Sequence, residues 1–252
     1  CGKCIQCYSG QQNFCSQFSI LGEHIQGTAA EYFKIPQENV VKIPDSLSFE
    51  EAAAAPLTFL TAWRCLVSQG NIKPGEYVLI QGAGGGLATS AIQIAKLFNA
   101  IVIATTGTDE KVEKTKKLDA DFVINYNTNK DYKKYVFVEL TKKHGIDLTL
   151  DSVGQATFPT SLSLLRQGGR IVIPGATTGP KAEIDLRQIF WKQIKIIGST
   201  MSNHAEFHDV IQHVLSGKLK PVIDRTFPLS EGKNAMEHLN SAHQFGKILL
   251  KP

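Results

Sequence analysis

The sequence predicts an α/β protein built on a doubly wound parallel sheet, with a second, smaller lobe rich in extended segments. Three observations predict it. Six short apolar runs alternate with helical segments, and such alternation requires crossovers, hence parallel pairs covered on both faces. A glycine-rich loop follows the first run and opens a helix. The flanking stretches abandon this rhythm for short segments bounded by proline and glycine.

The elements follow in order. Ala30–Pro36 and Val40–Pro44 read as strands bounded by prolines. Ser48 and Glu51 form a capping box ahead of the apolar run Ala52–Leu66, which Pro56 should kink or split. The strands of the sheet are expected at Val78–Ile80, Ile101–Ala104, Phe122–Ile124, Leu148–Leu150, Ile171–Ile173 and Ile194–Ile197. Helices are expected over Leu87–Phe98 and Asp109–Leu118, near 130–143, 157–167 and 184–192, and over His204–Leu215, where Gly217 ends the rhythm. From Leu219 to Pro252 strand and proline usage resembles the first lobe, so the tail is expected to pack back on it.

Composition excludes several classes. At 252 residues the chain holds one large domain or two packed ones, on a prior of about 150 residues per domain. With 42% hydrophobic and 20% charged residues it is neither a disordered chain, nor collagen-like, nor a disulfide miniprotein. The uncharged apolar stretch Ala52–Trp63 is shorter than the ~18 apolar residues a membrane span needs. The net charge of +4, from 27 basic and 23 acidic residues, is too diffuse for a nucleic-acid stripe. Its densest run, Lys111–Lys117, reads as a solvated helix face. No G-x-S-x-G elbow or Walker loop appears, which removes serine-hydrolase and P-loop kinase readings. The sequence opens at Cys1 with no initiator Met and no targeting signal, and reads as an N-terminally incomplete chain of cytoplasmic location acting on a small molecule.

Cys1, Cys4, Cys7 and Cys15 are spaced C-x2-C-x2-C-x7-C, with Gly2 and Gly10 between them. Two-residue gaps let a loop turn its sulfurs to one centre, and four thiolates satisfy tetrahedral zinc with no open position. Such a site is structural rather than catalytic; paired disulfides or a redox cluster are the alternatives. Cys65 stands alone and reads as a small buried hydrophobe.

The loop Gly82-Ala-Gly84-Gly85-Gly86-Leu87-Ala88 has the strand-before, helix-after context of a dinucleotide site. The first glycine permits the tight turn, the middle ones let the backbone approach a pyrophosphate at the helix N-terminus, and Ala88 keeps helix and strand close. After the second strand, a carboxylate would bind an adenosine ribose and repel a 2′-phosphate. That position is Thr106, followed by Gly107 and Thr108, and Lys111 offers a countercharge, so NADP(H) is preferred over NAD(H). Asp109 reads as a first-turn helix residue instead of a ribose partner.

Taken together, the cysteine lobe, Glu50–Trp63, the loop Gly82–Ala88, Val123–Tyr126, Asp151–Gly154 and Phe245–Lys247 resemble the medium-chain dehydrogenase/reductase superfamily over nearly the whole chain. The lobe is similar to that of zinc-containing alcohol dehydrogenases, and the cofactor half to the quinone oxidoreductase branch. The resemblance implies a dinucleotide-binding Rossmann domain, residues 48–217, inserted between catalytic (GroES-like) portions 1–47 and 218–252. It implies that Cys1, Cys4, Cys7 and Cys15 are structural zinc ligands, and that Gly85, Gly86 and Leu87 meet pyrophosphate and nicotinamide. By the same resemblance Thr61 packs beside the nicotinamide, Lys111 and Tyr126 grip the 2′-phosphate, and Lys247 faces the pyrophosphate. Val153, Gly154, Gly175, Ala176, Ser199 and Thr200 are implied to line the cofactor. Family members commonly dimerise through an edge strand, so a dimer or tetramer is expected, with Ile194–Ile197 as the candidate edge.

One departure shapes the functional reading. Alcohol dehydrogenases place a catalytic-zinc cysteine four residues before the threonine of this Thr-Ala-Trp segment, and here that residue is Leu57. The expectation is therefore an NADPH-dependent quinone, enone or carbonyl reductase without catalytic zinc; the catalytic residues are not identified. The alternatives are a zinc-dependent alcohol dehydrogenase and a non-catalytic NADPH-binding module. His204, Glu206, His208 and His213 lack the His-Glu-x-x-His order and read as surface helix. His24, His144, His238 and His243 show no metal spacing, and Asp151 reads as a turn or cap residue sooner than a base.

Overall fold

A computed structural model describes residues 1–252. In chain order its elements are α1 (Ile5–Tyr8), α2 (Phe49–Ala54), α3 (Pro56–Trp63), β1 (Tyr77–Ile80), α4 (Gly86–Leu97), β2 (Ile101–Thr106), α5 (Asp109–Lys116), β3 (Phe122–Asn125), α6 (Tyr132–Lys134), β4 (Ile146–Leu150), α7 (Phe158–Leu164), β5 (Leu165–Ile173), α8 (Leu186–Lys192), β6 (Lys195–Gly198), α9 (His204–Leu215), β7 (Ile223–Pro228), α10 (Gly232–Asn240) and β8 (Lys247–Lys251). The chain divides into two units, Thr61–Thr200 and the combination of Cys1–Leu60 with Met201–Pro252.

The first of these units is the doubly wound sheet. All six strands are parallel, in the order β3-β2-β1-β4-β5-β6. Strand order reverses between β1 and β4, and the crevice beyond their carboxyl ends is where ligands bind in such folds. The central strands are covered on both faces, so their middle residues are predominantly apolar. Leu79, Ile103, Ile146 and Ile171 pack into one face with Phe158, Leu162 and Leu164 of α7, and Val78, Ile80, Val102, Leu148 and Leu150 are equally buried. At the amino ends of the strands, Arg170 of β5 holds Glu76 in a two-pronged ion pair of 2.9 and 2.6 Å, and Asp147 accepts from Arg166 and from Tyr77 N–H. These pairs fix the edge opposite the ligand crevice.

Local expectations hold at the capping box and at Pro56. Glu51 N–H donates to Ser48 Oγ at 3.1 Å while Ser48 N–H donates back to Glu51 Oε2, and the helix breaks at Ala55 ahead of Pro56. The segment 130–143 departs from a plain helix: after α6 it widens into a π-helical stretch, Tyr135–Leu140, closed by Thr141 N–H to Val136 O. The wider turn accompanies full burial of Val136.

In the other unit the tail packs on α2. Parallel strands β7 and β8 pair across α10, α2 packs on both, and Lys251 Nζ reaches Glu50 Oε1 at 2.9 Å. The strand expectations at 30–36 and 40–44 are corrected: these residues run as coil around a short 3-10 turn, Gln37–Asn39. A proline-bounded extended segment becomes a strand only where a partner accepts its ladder, and in this chain neither segment has one. No helix is long and apolar enough to cross a membrane.

Ile103→Ala would remove a side chain with no exposed surface from the centre of the sheet. The expected cost is about 3 kcal/mol, read as a lower urea midpoint with an unchanged m-value.

Candidate cofactor and metal sites

The glycine loop lies at the switch point. Gly82 turns with φ of +73°, and a Cβ there would stand 3.0 Å from Val153 Cγ2, so the turn and its close approach to the neighbouring loop both require glycine. Ala83 N–H donates to Thr105 O at 2.7 Å, tying the loop to β2. Gly85 is the N-cap of α4 and contributes no side chain, which leaves the first-turn N–H groups of Gly86, Leu87 and Ala88 without intrahelical acceptors. Such groups, at the positive end of a twelve-residue helix, could hold an anion. A Cβ at Gly85 would meet nothing within 4 Å, whereas one at Gly84 would stand 3.1 Å from Lys111 Nζ. Lys111 thus lays its ammonium against the glycine loop.

Across the same crevice, the hydroxyl of Tyr126 lies over Gly107, where a Cβ would come within 2.7 Å of it. Thr106 is buried and carries no charge, and its carbonyl accepts Tyr126 N–H at 3.0 Å. Thr108 caps α5 by accepting Lys111 N–H at 3.2 Å. Gly84, Gly107, Lys111 and Tyr126 are therefore brought together at the carboxyl ends of β1 to β3.

Val153 and Gly154 are held by Asp151, which is fully buried at the end of β4. Its Oδ1 accepts from Val153 N–H at 3.0 Å and Gly154 N–H at 3.1 Å, and its carboxylate also accepts from the hydroxyls of Thr157 and Ser161. This is the bonding of a turn and cap residue. Gly175 and Ala176 follow β5 and Ser199 and Thr200 follow β6, on loops at the same edge of the sheet. Ser199 N–H donates to Ile173 O, but its buried hydroxyl oxygen has no partner within the chain. A buried hydroxyl left open at this edge fits a polar ligand atom. Thr61 lies in α3, partly buried. Lys247 belongs to the other unit, where it begins β8, and burial pushes its ammonium below the usual lysine range.

Reading the sequence missed the groups beneath the loop. Thr105 Oγ1 donates to Gln81 Oε1 at 2.5 Å, Gln81 Nε2 donates to Ser161 Oγ at 3.0 Å, and Ser161 Oγ donates to Asp151 Oδ2 at 2.7 Å. Gln81 also approaches Tyr132, whose phenol is pushed up chiefly by burial. The available signal was a polar glutamine directly after an apolar strand and before the glycine turn.

In the cysteine lobe, α1 and a 3-10 turn at Gln12–Phe14 gather the four sulfurs within 4.8 Å of one another. Cys1 and Cys7 lie 3.9 Å apart and Cys1 and Cys15 3.5 Å. Tetrahedral zinc with Zn–S of about 2.3 Å requires sulfur-to-sulfur edges of about 3.8 Å, so the cluster has the size of that ion's shell. Gln17 N–H, directed at Cys15 Sγ from 3.3 Å, is the main cause holding that thiol below its ordinary range, which favours the metal-binding thiolate.

The histidines have other work. Glu206 completes a capping box with Asn203, accepting its N–H at 2.9 Å, and accepts from Ser202 Oγ at 2.6 Å. His238 pairs with Asp224 at 2.8 Å, His144 lies 3.4 Å from Asp147, and His24 accepts from Ile20 N–H. His243 is exposed, and Leu57 is 49% exposed on α3.

The zinc-binding dehydrogenase family matches residues 86–216, and the alcohol dehydrogenase GroES-like domain matches residues 1–45. An acryloyl-coenzyme A reductase of Sulfurisphaera tokodaii is 34% identical, over 100% of this chain and 73% of its own length. The quinone oxidoreductase of Homo sapiens is 32% identical, over 90% of this chain and 70% of its own. Among solved structures, an NAD-dependent alcohol dehydrogenase superposes with a TM-score of 0.95 at 42% identity, over 100% of this chain and 73% of that one. This chain belongs to the medium-chain dehydrogenase/reductase superfamily, within the family described as zinc-binding dehydrogenases. It is an NAD(P)(H)-dependent oxidoreductase of the alcohol dehydrogenase and quinone oxidoreductase type.

Cys15→Ser should lower bound zinc, counted by plasma emission after dialysis, to below half of the wild-type value. Thiolates exchange protons for metal, so zinc retention should fall as pH falls, and the variant should lose its metal at higher pH than the wild type.

Proposed function

We propose that the protein is an NADPH-dependent reductase of quinones, enones or carbonyl compounds, with zinc held by Cys1, Cys4, Cys7 and Cys15 and no catalytic zinc. The observation that carries the cofactor preference is the seat beside the glycine loop: Lys111 Nζ against Gly84, the Tyr126 hydroxyl over Gly107, and Thr106 where an acid would repel a 2′-phosphate. When bound, NADPH supplies a hydride to a polarised double bond. The chain's own groups bind and orient. First-turn N–H groups of α4 take the pyrophosphate, Lys111 and Tyr126 take the 2′-phosphate, and Val153, Gly154, Gly175, Ala176, Ser199 and Thr200 line the remainder, with the open Ser199 hydroxyl offering a hydrogen bond.

Leu57 supports the reductase reading over alcohol oxidation. A hydrocarbon side chain cannot ligate a metal at the position where alcohol dehydrogenases use cysteine, and stabilising an alkoxide depends on that metal. The acryloyl-coenzyme A reductase and quinone oxidoreductase names among the relatives agree with an activated alkene or quinone as acceptor. Thiolate zinc ligands suit a reducing compartment, the cytoplasm. We also propose a homo-oligomer formed along β6, the sheet's edge strand, where Ile196 is exposed and α8 presents Phe190 and Trp191 at 59% and 71% exposure.

Fluorescence titration with NADPH and NADH tests the cofactor reading. Wild-type protein should bind NADPH more tightly, and Lys111→Ala should weaken NADPH by about tenfold, the scale of one phosphate contact, while leaving NADH unchanged. Equal binding of both cofactors by the wild type would favour an alcohol dehydrogenase instead. Metal analysis tests the other half: one zinc per chain is expected, and two would require a catalytic ion.

A further inference from the structure

Three consecutive residues at the end of β3 grip the loop that follows β2. Asn125 Nδ2 donates to Asp109 Oδ1 at 2.7 Å, Tyr126 N–H donates to Thr106 O at 3.0 Å, and Asn127 Nδ2 donates to Gly107 O at 2.7 Å. Asn125 is buried, and its amide oxygen is taken by Asn127 N–H at 2.9 Å. That second bond fixes the amide's sense: the oxygen faces Asn127, so the NH2 must face the carboxylate.

Asp109 and Lys111 share the first turn of α5, yet they are drawn to opposite sides. The lysine ammonium lies against Gly84 of the β1 loop, and the aspartate carboxylate is held by a residue of β3. A carboxylate beside this loop, as Asp109 is at the start of α5, is the kind of group that takes the hydroxyls of an unphosphorylated ribose and repels a 2′-phosphate. We propose that Asn125 is a specificity-positioning residue, which withholds the Asp109 carboxylate from the adenosine ribose and so keeps the Lys111–Tyr126 seat open to a 2′-phosphate. The proposal rests on the NADP(H) reading above. It assigns Asn125 a role through Asp109 and no contact with the cofactor.

The test is a mutant cycle read by NADPH and NADH dissociation constants. Asn125→Ala should weaken NADPH by about tenfold, the scale of one hydrogen bond to a charged group, and tighten NADH. Adding Asp109→Asn to that variant should return NADPH binding to within about threefold of wild type, because no carboxylate then remains to be restrained. If the single and double variants are equally impaired, Asn125 merely supports the loop and the proposal is wrong. It is also wrong if Asn125→Ala keeps the wild-type preference. A wild type without NADPH preference overturns the cofactor reading itself, a result separable from the other two. Should Asn125→Ala fail to fold, Asn125→Ser keeps a polar group at the buried position but is too short to reach Asp109, and the same outcomes apply.

Discussion

The hydrogen-bonded line Thr105–Gln81–Ser161–Asp151 is the interaction on which the ligand-binding edge depends. Its members come from the ends of β2, β1 and β4 and from α7, and all four are buried, so each polar atom must find its partner inside the protein. In a low-dielectric interior an unpaired amide or carboxylate costs more than the bond itself contributes, and a line of this kind is therefore satisfied as a whole or not at all. The strand ends cannot shift separately. Asp151 then transmits the constraint to Val153 and Gly154, and Thr105 to Gly82 and Ala83, so both walls of the crevice rest on one base.

The two ends of the sheet use charge differently. At the amino ends Arg170–Glu76 and Arg166–Asp147 neutralise each other and close that edge. At the carboxyl ends the N-terminus of α4 and the Lys111 ammonium both lie at the glycine loop. A parallel sheet makes this asymmetry natural, since every crossover helix begins at the carboxyl edge and presents its N–H groups there.

The cysteine lobe depends on another constraint. Of residues 1–50 only Cys15 is buried, so this stretch has no apolar core of its own to fix its path. Four sulfurs converging to a metal-sized cluster replace that core. A zinc shell closed by four sulfurs would leave no place for substrate, so the proposed metal would shape one unit while the proposed cofactor crevice belongs to the other.

Much of this was determined by sequence alone. The alternation of apolar runs and helical segments dictates a parallel sheet, because no tight turn can join parallel strands; the Ser48–Glu51 box and Pro56 dictate where α2 begins and ends; the cysteine spacing dictates a common centre. Each is a short-range rule, legible in a few neighbouring residues. Tertiary structure decided what depends on partners distant in the chain. Residues 30–44 have the composition of strands but no neighbour to pair with, and so remain coil. Gln81 becomes a keystone only because Thr105 and Ser161, distant in sequence, arrive beside it. Asp109 and Lys111 are two residues apart in the chain, yet packing against β3 and against the glycine loop turns them to opposite sides of one ligand seat, since a side chain's direction is set by what it meets.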